Sequence, residues 1–317
     1  MCKLTRGFIT LATGHIKYYK MALNMLKSFR LHNPGEKFAI VCDKENEVTA
    51  QFDDVILLDK ANGDYRDKFS LLIEAPYDEN IFIEPDCLIY HNLSFFWDLL
   101  SQESDFSCFG WNKGGIKCWF RNEETQQRLL ELLPEIKNPD CAPLFNPGYF
   151  FVRKGDKCRK MYEDCIRIAK LISDDPILSV YPPISVNGKL RDDEIFNIAM
   201  LIHNFKCNEV PEAGKCISLP SKYTIDKIDM ENGVLNVTDK RGKVFTDCSL
   251  LHFSTRKANE EGLYLWQKLI TDCLYKNKNS KTAKILKISL FKYLFCFFRY
   301  TKTRVKYLIN ILTRKNK

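Results

Sequence analysis

Strand-like and helix-like stretches alternate through the first hundred residues, which predicts an α/β fold on a mostly parallel, doubly wound sheet. Length and composition agree with it: 317 residues, 45% of them hydrophobic, suffice for one large packed domain or for a domain with an appendage. The placement of polar residues agrees as well. Thr10 to Gly14, Asp43 and the pair Glu84 and Asp86 all fall at carboxyl ends of expected strands, where open α/β sheets bind ligands.

Taken in order, residues 7–13 (GFITLAT) read as the first strand, broken by Gly14 and His15. Residues 18–32 have the periodicity of an amphipathic helix, ended by Asn33, Pro34 and Gly35. Residues 37–43 and 54–59 are buried-type strands; residues 67–77 read as helical up to Pro76, and 80–90 as a strand again. Further on, residues 123–136 and 158–172 are helical, and 145–155 are a turn feeding a strand. Residues 173–190, rich in Pro, Gly and Ser, read as a long loop. Residues 191–205 form a helix whose opening acids suit the positive end of its dipole, and a hairpin turns at Asn232–Gly233.

The net charge of +8 is unevenly spread: residues 281–317 hold eight Lys and three Arg with no acid, while the remainder holds 37 basic and 40 acidic residues. Nucleic-acid binding by the body of the protein is thereby disfavoured. The expected organisation is a domain over residues 1–270 and a basic tail over 271–317. The tail mixes its charges with Leu, Ile, Phe and Tyr, and its longest apolar run is too short for a bilayer. It fits a basic amphipathic helix on an anionic membrane surface, or alternatively a partner-binding helix. Thirteen scattered cysteines without zinc or C-x-x-C spacing read as reduced thiols. With no signal-peptide pattern at the start, the expected location is cytoplasmic, peripheral on the inner face of a membrane.

The chemistry-bearing residues begin with Glu84 and Asp86. In an extended segment, residues two apart point to the same side. Two carboxylates held so close repel unless a cation lies between them, and oxygen donors suit hard divalent ions. Spacing alone leaves open a strand-end turn that holds two acids around Pro85. His252 in the apolar LLHF reads equally as a core histidine, Lys68 as a solvated helix residue, and Asp192 and Asp193 as helix capping. His15, His32, His91 and His203 show no partner pattern.

The order of motifs resembles the GT-A nucleotide-sugar glycosyltransferases, glycosyltransferase family 8 above all, over residues 5 to about 267. The resemblance runs through GFITLATGHIKYYKMALNMLKSFR, RDKFSLLIEAPYDENIFIEPDCLIY, FNPGYFFV, DDEIFN and LLHFSTRK. It implies a GT-A fold and a metal-dependent transfer of sugar from a nucleoside-diphosphate sugar, UDP-sugar foremost. The acceptor would be a hydroxyl of a glycan or lipid-linked glycan, with retention at the anomeric carbon. By position, Glu84, Asp86 and His252 would hold Mn2+ or Mg2+, and Lys257 would meet the phosphates. Lys68 would lie near nucleotide and donor sugar, and Thr10, Leu11, Ala12 and Tyr18 would line the uracil and ribose pocket. Asn146 and Gly148 would shape the donor floor, with Asp192 and Asp193 at the sugar and acceptor.

The chain departs from the family in having Glu84 where Asp is usual. In HFSTRKAN it also lacks the glycine after the histidine and the Pro-Trp after the lysine, so Arg256 is an alternative to Lys257. Two other readings are a sugar nucleotidyltransferase, whose glycine-rich phosphate loop is missing from TLATGHIKYY, and a nucleotide-sugar-binding module without catalysis.

Overall fold

The structure is a computed structural model. It describes residues 4–101, 104–112, 115–118, 120, 122–179, 185–186, 189–190, 192–209, 215–219, 223–239, 241–254 and 262–276. Residues 277–317 of the expected tail, with Lys257 and Arg256, lie outside the described residues, while 271–276 continue a helix that starts at Gly262, and Asn146 is described by its backbone alone. The chain divides into two interleaved compact units. The first holds residues 1–23, 35–85 and 93–213, and the second 24–34, 86–92 and 214–317.

The first unit is built on six strands: β1 (Arg6–Ala12), β2 (Phe38–Cys42), β3 (Asp54–Leu57), β4 (Glu79–Ile83), β6 (Phe106–Trp111) and β7 (Leu144–Arg153), ordered β3-β2-β1-β4-β7-β6. Strands β3, β2, β1 and β4 are parallel, as the alternation predicts. Strand β7 runs against both of its neighbours, so the sheet is mixed. The sequence reading assigns no element to β6, and β7 is a strand where a turn is expected at Asn146, Pro147 and Gly148. The β6–β7 register shifts across this stretch, because Pro147 has no N–H to give the ladder.

Helix α1 (Ile16–His32) buries Tyr19, Ala22, Met25, Leu26 and Phe29, one stripe at helical spacing. The helix expected over residues 67–77 is instead a 3-10 turn (Tyr65–Ser70) followed by the short α2 (Leu71–Glu74). Ala75 leaves the helix with ψ 133°, as the residue before Pro76 is driven to do. Helix α3 (Phe95–Leu100) is short. Helix α4 (Glu123–Leu132) starts where the Asn122 side chain accepts from the Glu124 N–H at 2.8 Å, and stops before Pro134.

Helices α5 (Asp156–Asp174) and α6 (Asp192–Ile202) cover the sheet. Phe106, Phe150 and Phe196 form the middle of that core, with ring centroids 5.3 Å and 5.5 Å apart, and Phe69 meets Phe196 edge-on at 5.1 Å. That last contact ties the segment bearing Lys68 to the helix that begins with Asp192. The expected loop over residues 173–190 contains a small antiparallel pair, β8 (Ser185–Val186) with β9 (Lys189–Leu190).

In the second unit, β5 (Cys87–Ile89), β10 (Cys216–Leu219) and β14 (Leu250–Phe253) form a sheet ordered β10-β14-β5. The single strand expected over residues 80–90 is therefore two strands in two sheets, parted by Glu84, Pro85 and Asp86. Pro85 fixes φ and cannot continue a ladder. The hairpin is as expected: β11 (Tyr223–Asp229) pairs antiparallel with β12 (Val234–Asp239), and β13 (Val244–Phe245) adds to β12. Gly233 turns it at φ +64°, where a Cβ would sit 2.6 Å from the Tyr90 carbonyl oxygen. Helix α7 (Gly262–Lys276) packs here through Asp272, which pairs with Lys27, and through Gln267, whose Oε1 accepts from the Tyr90 hydroxyl at 3.2 Å. The eleven cysteines among the described residues are free thiols, and no described helix is long and apolar enough to cross a membrane.

Candidate active site

In the first unit a cleft opens at the carboxyl ends of β1 and β4, lined by Leu11, Thr13 and Tyr18 on one side and by Phe82, Glu84 and Pro85 on another. Strand alternation explains why only part of the expected 10–12 segment reaches it. Leu11 and Thr13 face the cleft, while Thr10 and Ala12 are buried on the other face. The remaining wall is Gly63, Asp64 and Tyr65, which the sequence reading missed. Asn62–Gly63 is a turn dipeptide with a tyrosine close behind, and that was the available signal.

This wall is held by buried Asp67. Its carboxylate accepts from the N–H groups of Asn62 (2.6 Å) and Gly63 (2.8 Å) and from the Thr13 hydroxyl (2.7 Å). Gly14 and Gly63, both at positive φ, lie against each other, and a Cβ on Gly14 would press on the Gly63 backbone at 3.2 Å. Behind them Asp43 accepts from the Gly14 N–H (3.1 Å) and from the Tyr19 hydroxyl. Burial works against the Asp43 charge, yet these hydrogen bonds prevail and its pKa is lowered. The Tyr18 and Tyr65 rings remain partly exposed at the cleft.

Lys68 lies at the cleft floor and is buried, with its ammonium paired to both Glu84 and Asp192. Burial disfavours its charge, but the two carboxylates overcome that and raise its pKa above the ordinary lysine value. Asp192 opens α6, where the helix dipole favours a carboxylate. Asp193 is half-buried beside it, and its carbonyl accepts from Asn197 at 2.7 Å. Gly148 serves through its backbone, its carbonyl accepting from the Glu84 N–H at 2.8 Å.

The extended-segment argument for Glu84 and Asp86 is corrected by the structure. Residues 84–86 form a turn between β4 and β5, so alternation along one strand does not set their directions. Glu84 takes Lys68 as its partner. Asp86 belongs to a constellation in the second unit, with Oδ1 3.2 Å from Nε2 of His252. That Oδ1 is buried and makes no hydrogen bond with any described residue. The other ring nitrogen of His252, Nδ1, lies 3.1 Å from Ser218 Oγ. The Phe253 N–H donates to the Asp86 carbonyl at 3.1 Å, fixing the residue against β14. An oxygen and a nitrogen donor 3.2 Å apart, with the second ring nitrogen beside a hydroxyl, are donor types that suit a divalent cation. Asp86, Cys87 and His252 each offer a donor atom, all within 4.8 Å of one another.

No protein-family model and no curated protein matches the sequence. Among solved structures, a bifunctional glycosyltransferase named WbbM, in its apo form, superposes with a TM-score of 0.52 at 11% identity, over 90% of this chain and 51% of that one. The chain thus spans about half the length of that protein. The galactosyltransferase LgtC, in complex with donor and acceptor sugar analogs, aligns at a TM-score of 0.49 and 11% identity, covering 89% of this chain and 100% of that one. GlyE of Streptococcus pneumoniae TIGR4 aligns at 0.43 and 12%, over 65% and 45%. The fold is of the GT-A type, a parallel-rich sheet flanked by helices.

Proposed function

We propose that this GT-A protein transfers a sugar from a nucleoside-diphosphate sugar to a hydroxyl of a glycan or lipid-linked glycan, with a divalent cation and with retention at the anomeric carbon. The observation that carries the reading is the Asp86–His252 pair, which the chain reaches one peptide bond after Pro85 of the cleft. UDP is the favoured nucleotide, because the resemblance of the 10–18 segment is to uracil and ribose sites.

In this reading the half-exposed rings of Tyr18 and Tyr65 present flat surfaces to a base. Gly14 and Gly63 let backbone approach the donor closely. Asp86 and His252 would hold Mn2+ or Mg2+, which supplies Lewis-acid stabilisation of the charge developing on the diphosphate. Glu84 and Asp192 hold Lys68 extended and charged at the cleft floor, where it orients donor oxygens. Asp193 is the carboxylate assigned to the positive charge that grows on the anomeric carbon, with Asp192 beside it. The resemblance alone assigns Lys257 and Asn146 to the donor, and residues 173–190 are assigned to the acceptor. The basic tail is assigned to an anionic membrane surface, near a lipid-linked acceptor.

The test is thermal shift with UDP, GDP and CDP, each with and without Mn2+, followed by donor hydrolysis across a panel of sugar nucleotides. One nucleotide should stabilise the protein only with the cation, and Asp86→Asn should remove that dependence and lower hydrolysis by about 100-fold or more. Stabilisation that ignores the cation, or survives unchanged in Asp86→Asn, would sink the assignment.

A further inference from the structure

Strand register sets three side chains of the second unit in a row. Ser218 pairs with His252 across β10 and β14, and His252 pairs with Cys87 across β14 and β5. Residues directly opposite on neighbouring strands share a face of the sheet. Cys87 is fully buried and His252 nearly so, and the Cys87 sulfur belongs to the donor group formed with Asp86 and His252. It is the one such group of three found among the described residues.

We propose that Cys87 Sγ is a third donor to the cation, and that it shifts the preference of the site from Mg2+ toward Zn2+ and Co2+. The inference rests on the reading of Asp86 and His252 as cation ligands and adds the identity of the ion. Magnesium takes hard oxygen donors and gives up its water reluctantly, whereas zinc and cobalt accept sulfur, nitrogen and oxygen together. Donor atoms around a tetrahedral zinc lie on the order of 3.5 Å apart. Asp86 and His252 already stand at 3.2 Å, and the sulfur falls within the 4.8 Å limit of the group. On binding, the metal–sulfur bond replaces the S–H bond and the proton passes to solvent. Ser218 fixes the imidazole from behind, as outer partners of metal-binding histidines do.

The test uses the full-length protein freed of metal and titrated with Co2+ alone, read by electronic absorption and by calorimetry, alongside Cys87→Ser and His252→Ala. The parent should develop a near-ultraviolet sulfur-to-cobalt charge-transfer band. Cys87→Ser should lose that band while still binding Co2+ about 10- to 100-fold more weakly. Zn2+ alone should raise the Tm of the parent more than Mg2+ alone, a comparison that needs no variant to fold. If Co2+ binds parent and Cys87→Ser equally and without the band, Cys87 is a packing thiol and the inference fails, while the cation reading stands. A band that persists in Cys87→Ser lies on other thiols and also overturns it. If the parent binds none of Co2+, Zn2+, Mg2+ or Mn2+, in the presence or absence of UDP, the cation reading falls together with the inference.

Discussion

Lys68 reaches both Glu84 at the end of β4 and Asp192 at the start of α6, so one buried ammonium joins two carboxylates from distant parts of the chain. Neither acid is within reach of the other in sequence; the Phe69–Phe196 contact next to this cluster is what brings the helix and the turn together.

Replacing Lys68 by Met should leave two carboxylates facing each other in a buried setting. A loss of about 3–5 kcal/mol is expected in urea denaturation, with part of it recovered in Lys68→Met combined with Asp192→Asn. Equal losses in the single and double variants would show that the charge pairing is not what holds this corner.

Ser218 touches no substrate in the proposed reaction, yet it fixes His252. With Nδ1 facing the Ser218 hydroxyl at 3.1 Å, Nε2 is the ring nitrogen on the Asp86 side, 3.2 Å from its Oδ1. Ser218→Ala should weaken cation affinity by about 10- to 100-fold with little change in nucleotide affinity measured without cation. Calorimetry with Mn2+ and with UDP separately reads the two effects.

Gly233→Ala should destabilise the second unit by about 2 kcal/mol or more, from the left-handed backbone and from the Tyr90 carbonyl that crowds any Cβ there. Gly35→Ala, also at positive φ but with no atom within 4 Å of the added carbon, should cost only the backbone part. Thermal denaturation of the two variants separates strain from collision.

Cys42, buried in β2, has its thiol pushed up from 9.0 to about 11, with burial as the leading cause. The unfolded chain therefore ionises this thiol first. Its contribution to stability is complete below pH 9 and is lost as pH rises from 9 through 11. Cys42→Val should flatten that limb of the stability profile. An unchanged slope between pH 9 and 11 would assign the alkaline loss to other groups.

Much of the first unit was legible because its signals are local. Four strands, the apolar stripe of α1 and the stop at Asn33, Pro34 and Gly35 each follow from side chains a few residues apart, although β3, expected to be buried, is a half-exposed edge strand. The Asn232–Gly233 hairpin was legible for the same reason. Pro76 and Pro85 were visible too, but their consequences were underread: a helix shortened to one turn, and one expected strand divided between two sheets. Strand β6 was missed because a short run such as FSCFGW carries no period to distinguish it.

The candidate site shows the same division. Sequence by itself determined which residues carry charge or ligand atoms, and that Glu84, Pro85 and Asp86 interrupt an apolar run. It could not determine partners. Only the tertiary structure gave Glu84 to Lys68 and Asp86 to His252, and set Cys87 opposite that histidine. The reason is that a partner is fixed by which strand lies next to which and in what register, a choice made by burial of whole faces and not by any short stretch of chain.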